Sequence, residues 1–156
     1  MFRKMRRFKQ ELTKDESKNI LKKQQRGFLS VHGDDNYPYT IPMNYLYQDG
    51  KIFLHSAKEG HFKDSIKAND KVCFCVLNDG KKVDNKWYYT FKSVIIFGRI
   101  KIITDYNEKH DILTKLGNKY FPTEEETNNV VHKLFKQTEV LKIEIEHITG
   151  KKVTEK

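Results

Sequence analysis

Apolar residues change their spacing several times along this chain, and each change marks a boundary between elements. Thr13 followed by Glu16 forms a capping box and Gly27 supplies a stop, so residues 14 to 26 are predicted as a helix. Its apolar surface is little more than Ile20 and Leu21, enough to lie against the outside of a sheet. From Phe28 the period becomes two. Phe28 to Val31 predicts a strand, the turn Gly33-Asp34-Asp35-Asn36 follows, and Tyr39 to Tyr47 predicts a second strand with Tyr39, Ile41, Met43, Tyr45 and Tyr47 on one face. Asp49-Gly50 then signals a two-residue hairpin to Lys51–His55, because both central positions of such a turn need positive φ.

Val72 to Leu77 is an unbroken apolar run and predicts a strand buried on both sides. Tyr88 to Ile103 predicts a long strand with Val94, Ile96, Gly98, Ile100 and Ile102 on one face, Gly98 marking a bend that curls the sheet. Asp105 with Glu108 and Thr123 with Glu126 open two helices around Phe121-Pro122. Their apolar positions Ile112, Leu113, Leu116 and Val130, Val131, Leu134, Phe135 suit packing on a sheet. A last strand, Glu139 to His147, directs Leu141, Ile143 and Ile145 inward, and the polar tail from Gly150 to Lys156 is expected to fray. Connections are short and no repeat or linker interrupts them, so residues 1–156 are expected to form one domain with a basic arm at 1–12. The expected fold is a small antiparallel β-barrel with peripheral helices, of α+β class, since closing the sheet removes its exposed edges.

Composition narrows this picture. At 156 residues the chain is close to one domain of ~150. Its hydrophobic share of 37% lies below the usual ~45–50% and its charged share of 33% above ~25%. The 12% of aromatic residues and the apolar runs still argue against disorder. Net charge is +9, but residues 1 to 26 hold ten basic and three acidic residues, leaving 20 basic and 18 acidic for the rest. A nearly neutral body with a basic arm, lacking the interleaved aromatics of an RNA-binding sheet, ranks nucleic acid last among partners. No stretch approaches ~20 apolar residues and no apolar segment follows the basic start, so neither a membrane span nor a secretory signal is expected and the reading is cytoplasmic. Cys73 and Cys75 share one face of a strand, a poor geometry for a mutual disulfide, and a lone Cys-x-Cys gives no metal site. Buried reduced thiols are expected.

Two stretches depart from local rules. In Ile41-Pro42-Met43-Asn44-Tyr45 a proline removes a ladder donor inside a strand and an amide sits among aromatics. Either a ligand uses that amide, or the segment is an edge-strand bulge with Asn44 satisfied by backbone. In His55-Ser56-Ala57-Lys58-Glu59-Gly60-His61-Phe62-Lys63-Asp64 a strand feeds a short helix, ending near Asn69, through small residues. Unpaired N–H groups at such a start, with Ser56, Lys58, His61 and Lys63 beside them, suit a phosphate; a capped turn with solvated lysines is the plainer alternative. The hairpin brings the two stretches together, so one site with an anionic end and a flat-ring end is expected.

The succession Tyr37-Pro38-Tyr39, Ile41 to Tyr47, Asp49 to His61, Val72-Cys73-Phe74 and Ser93 to Gly98 resembles the pyridoxamine 5′-phosphate oxidase-related flavoproteins, especially their nitroimidazole-resistance branch, over about residues 10 to 147. The resemblance implies a split β-barrel that binds flavin mononucleotide (FMN), usually as a homodimer with a flavin in each of two grooves at the subunit interface. It implies that Pro42, Met43, Asn44 and Tyr45 line the isoalloxazine ring and that His55, Ser56 and Ala57 follow the ribityl chain. Lys58, Gly60, His61 and Lys63 would surround the phosphate, and Ser93 and Val94 would complete the groove. An oxidoreductase passing electrons from NAD(P)H to a small electrophile, such as a nitro compound, follows from it; the alternative is a flavin or haem carrier or sensor without turnover. No catalytic acid is assigned. His55 and His61 are candidates because imidazole is the side chain that ordinarily titrates near neutrality, but a histidine beside a phosphate more often binds than catalyses. No C-terminal signature after Ile148 supports oxidation of pyridoxamine phosphate itself.

Overall fold

A computed structural model describes residues 1–155; Lys156 lies outside the described residues. Eight strands form one antiparallel sheet: β1 (Arg26–His32), β2 (Pro38–Asn44), β3 (Leu46–Gln48), β4 (Lys51–Ala57), β5 (Lys71–Leu77), β6 (Lys81–Lys82), β7 (Tyr89–Ile102) and β8 (Thr138–Thr154). Their order is β2-β1-β5-β7-β8-β4-β3, with β6 paired to β7. The sheet curls until β2 touches β4 without pairing to it, which leaves a split in an otherwise closed wall. This is the antiparallel split β-barrel with peripheral helices that the sequence predicts. The four α-helices are α1 (Lys14–Lys23), α2 (His61–Ala68), α3 (Tyr106–Tyr120) and α4 (Glu124–Leu134).

The helix starts follow their sequence signals. Thr13 and Glu16 form a reciprocal capping box, and Asp105 and Thr123 accept from the backbone N–H of Glu108 and Glu126. One apolar cluster fills the barrel, with Leu29, Phe74, Ile96, Leu141 and Ile143 fully buried beside Ile20 and Leu21 of α1. A second sits outside, where Ile112, Leu113, Leu116 and Val131 of α3 and α4 cover Phe53 and Val140.

Five expectations are corrected. The first helix ends at Lys23, not residue 26, because Arg26 begins the ladder to β2 and Gly27 leaves room for the Phe74 ring rather than stopping a helix. Tyr39 to Tyr47 is not continuous: the strand breaks at Tyr45, between β2 and β3. Strand β5 is buried on one face only, with Val72, Phe74 and Val76 inside and Leu77 exposed. Cys73 and Cys75 are accordingly half-buried on its outer face, and burial raises both thiol pKa values. The tail does not fray at Gly150, since β8 runs to Thr154 against Thr90 of β7 and Gly150 accepts the Leu12 N–H at 2.9 Å. The bend at Gly98 is present as a register shift in the β7–β8 ladder.

Candidate functional site

The split between β2 and β4 is where the candidate residues meet. Strand β2 is an edge, the position in a sheet that tolerates a proline such as Pro42. Pro42 faces outward and Met43 packs inward against the barrel core. Asn44 shares the outward side and accepts from Arg26 Nε at 3.3 Å. On the opposite side of the split, His55 ends the outward face of β4, whose inward residues Ile52 and Leu54 are fully buried.

Asn44 and His55 share the wall of one cavity of about 270 Å³, roofed by Leu113, Leu116, Val131 and Phe135 of the α3–α4 pair and closed by Tyr120 and Thr138. His55 is exposed as a residue, yet enough of the ring is enclosed to hold its pKa below the usual 6.5, so the imidazole is neutral at pH 7. The cavity is apolar along one side and carries an amide and an imidazole on the other, the makeup of a site for a flat heterocycle.

Beyond His55 the chain passes Ser56, whose hydroxyl donates to Ala57 O at 2.9 Å, and exposed Ala57, Lys58 and Glu59. Gly60 turns it at φ 117, a conformation that disfavours a side chain, and starts α2 without a side-chain cap. The Gly60 carbonyl receives the N–H groups of Lys63 and Asp64, which leaves the first amides of α2 without a helical partner.

Two expected phosphate ligands point elsewhere in this chain. His61 stacks on Tyr39 at 4.4 Å between centroids, with Nε2 3.5 Å from Asp34 Oδ2. Lys63 is 3% exposed and forms an ion pair with Glu139 of β8. The side chains of Tyr45 and Val94 are fully buried, so only their backbone can face a ligand. Ser93 of β7 pairs with Leu77 of β5, and β7 lies three strand intervals from β2, a separation of about 14 Å. The structure therefore brings together Pro42, Asn44, His55, Ala57 and the Lys58–Gly60 turn, and leaves Ser93 apart.

Two residues that sequence reasoning missed fix the break at Tyr45. The Tyr120 hydroxyl accepts the Tyr45 N–H at 2.9 Å and lies within reach of the Gln25 and Tyr45 carbonyls. Lys119 Nζ donates to Gln24 O and Tyr45 O, each at 2.8 Å, and burial lowers its pKa to about 8. Partners 75 residues apart leave no local signal.

Among curated proteins none matches this sequence. Solved structures share the fold. A protein described as a 5-nitroimidazole antibiotic resistance protein from Bacteroides thetaiotaomicron superposes with TM-score 0.77 at 22% identity, covering 92% of this chain and 87% of its own. The flavocytochrome Anf3 from Azotobacter vinelandii gives 0.80 at 20% identity, covering 97% and 73%. A FAD-binding protein from Mesorhizobium loti gives 0.67 at 23% identity, covering 92% and 96%. The family model described as pyridoxamine 5′-phosphate oxidase matches residues 13–152, nearly the whole barrel with all its helices, and this chain belongs to that family.

Proposed function

We propose that the chain binds a flavin, as FMN, across the split, and that it works as an oxidoreductase. One observation carries this reading: the apolar cavity holding Asn44 and His55 lies along the same strand as the uncapped start of α2 with Lys58 beside it. The donors fit the group. The first amides of α2 and the Lys58 ammonium meet a phosphate. Ser56 and Ala57 border the sugar-alcohol chain, and Pro42, Asn44 and the cavity rim meet the ring. When bound, the flavin supplies two-electron chemistry, taking a hydride from NAD(P)H and giving the electron pair to a small acceptor such as a nitro compound. The chain's own part is orientation and exclusion of water: Asn44 presents its amide to the ring's polar edge, and neutral His55 offers one donor and one acceptor nitrogen. Flavin-binding relatives, the FAD-binding protein from Mesorhizobium loti and the flavocytochrome Anf3, support the same reading.

The protein is further proposed to be a homodimer, in which Ser93 and the Val94 backbone of one copy complete the groove of the other. Purified protein should be yellow or take up added FMN, with quenching of flavin fluorescence. A colourless protein that ignores FMN would reject the reading. Anaerobic NADH or NADPH should bleach the bound flavin and a nitro acceptor should restore it. Bleaching without any acceptor turnover would leave the carrier reading.

A further inference from the structure

A larger and more basic groove lies next to the apolar cavity and shares its Val131 and Phe135. Its volume is about 1080 Å³, at the upper end of the ~300–1,000 Å³ typical of ligand sites and well beyond what the apolar cavity offers. Lys58, Lys109, Lys133 and Lys136 line it together with His110 and His132, and no carboxylate does. Among the described residues none of these four lysines forms an ion pair. The Lys109 ammonium is held in place, donating to Phe135 O at 2.7 Å and lying 4.2 Å from the centroid of the Phe135 ring. Burial first, and then repulsion from Lys58 in the same groove wall, lowers its pKa. The floor is aromatic: Tyr106, 65% exposed, packs against Phe135 at 4.8 Å. The amides of Asn128 and Gln137 stand at the rim.

Uncompensated cations beside an exposed ring with amides match a phosphate joined to a heterocyclic base. Lys58 connects this groove to the turn where the flavin phosphate is placed. We propose that the groove between α3, α4 and Lys58 binds an adenosine phosphate, the distal half of a dinucleotide whose reactive half occupies the split. The inference rests on the flavin reading only for which dinucleotide it is: the adenylate of a dinucleotide flavin, or that of the nicotinamide donor.

ADP is the probe, titrated calorimetrically into the purified full-length protein. Binding should weaken with salt and fall at least tenfold in K133E/K136E, two exposed positions outside the cavity wall. FAD tighter than FMN in the parent protein, with the difference lost in the double variant, identifies the flavin as the source. Equal flavin affinities with a raised KM for NADPH identify the nicotinamide. ADP that fails to bind, binds equally well to the variant, or is matched by tripolyphosphate overturns the proposal. Since ADP is read without flavin, a protein that binds ADP but not FMN refutes the flavin reading alone.

Discussion

At the residue scale, the backbone of Tyr45 is where the site depends on a distant element. Its N–H is a donor taken out of the ladder by the break between β2 and β3, and the Tyr120 hydroxyl is its acceptor at 2.9 Å. Tyr120→Phe leaves that donor unpaired in a partly buried position, so stability should fall by about 1–3 kcal/mol, read from the urea midpoint. His55 gives a pH signature. Its folded-state pKa lies below the 6.5 of an exposed imidazole because burial disfavours the cation. Above that value neither state takes up the proton. As pH falls below about 6.5 the unfolded chain gains it first, so stability drops until the folded-state pKa is passed. His55→Gln should flatten that part of the pH profile, and an unchanged slope between pH 7 and 5 would contradict the enclosed ring. His55 was legible in the sequence because it ends a hairpin strand, and Asn44 because it interrupts an apolar pattern. Tyr120 and Lys119 were not, since a helix C-terminus carries no mark of the loop it will clasp.

At the element scale, signals that act within a few residues read true and those set by distant pairing did not. The caps of α1, α3 and α4 and the Asp49-Gly50 turn are local geometry, and Asp49 and Gly50 indeed hold φ 50 and 73. The ends of α1 and β8 are decided instead by what they pair with. Arg26 lies opposite Asn44, and Lys151 opposite Ser93, neither of which is visible from either segment alone. Gly98 is the case where one residue controls an element. The register of β7 against β8 shifts there, and an added Cβ would meet the Glu144 carbonyl and the Ile143 side chain. Because the nearest obstacle is backbone in a paired strand, the crowding has no cheap relief. Gly98→Ala should cost about 1–3 kcal/mol, seen as a lower denaturation midpoint with an unchanged dependence on denaturant. It should also weaken flavin binding, since β8 carries Thr138 to the cavity wall and Glu139 to Lys63.

At the scale of the whole molecule, the barrel has two outer faces with different fates. The face formed by β4 and β8 is covered by α3 and α4, whereas the outer faces of β1, β5 and β7 keep exposed apolar side chains, with the Phe2 ring stacked on Phe97 of β7. Phe28 lies opposite Pro42 and Cys75, and Cys75 opposite Ile95, so these four form one cross-strand row, with Phe28 46% and Ile95 38% exposed. Leu77 and Phe97 flank that row on the same side and are exposed as well. A continuous apolar row that begins at a candidate ring-lining residue and ends next to Ser93 is what the proposed homodimer requires: a second copy packed there would set its own Ser93 near the first copy's Pro42 and Asn44. The sequence run Val72 to Leu77 is apolar at every position, yet folding of one chain buries only Val72, Phe74 and Val76, and the proposed second copy would cover the other face. Phe28→Glu with Ile95→Lys should therefore yield a folded monomer by sedimentation, with far-UV circular dichroism unchanged because neither side chain belongs to the barrel core. FMN affinity should fall at least tenfold in that monomer. A variant that stays dimeric, or a monomer that binds FMN as tightly as the parent, would place the whole flavin site within one chain and remove Ser93 and Val94 from it.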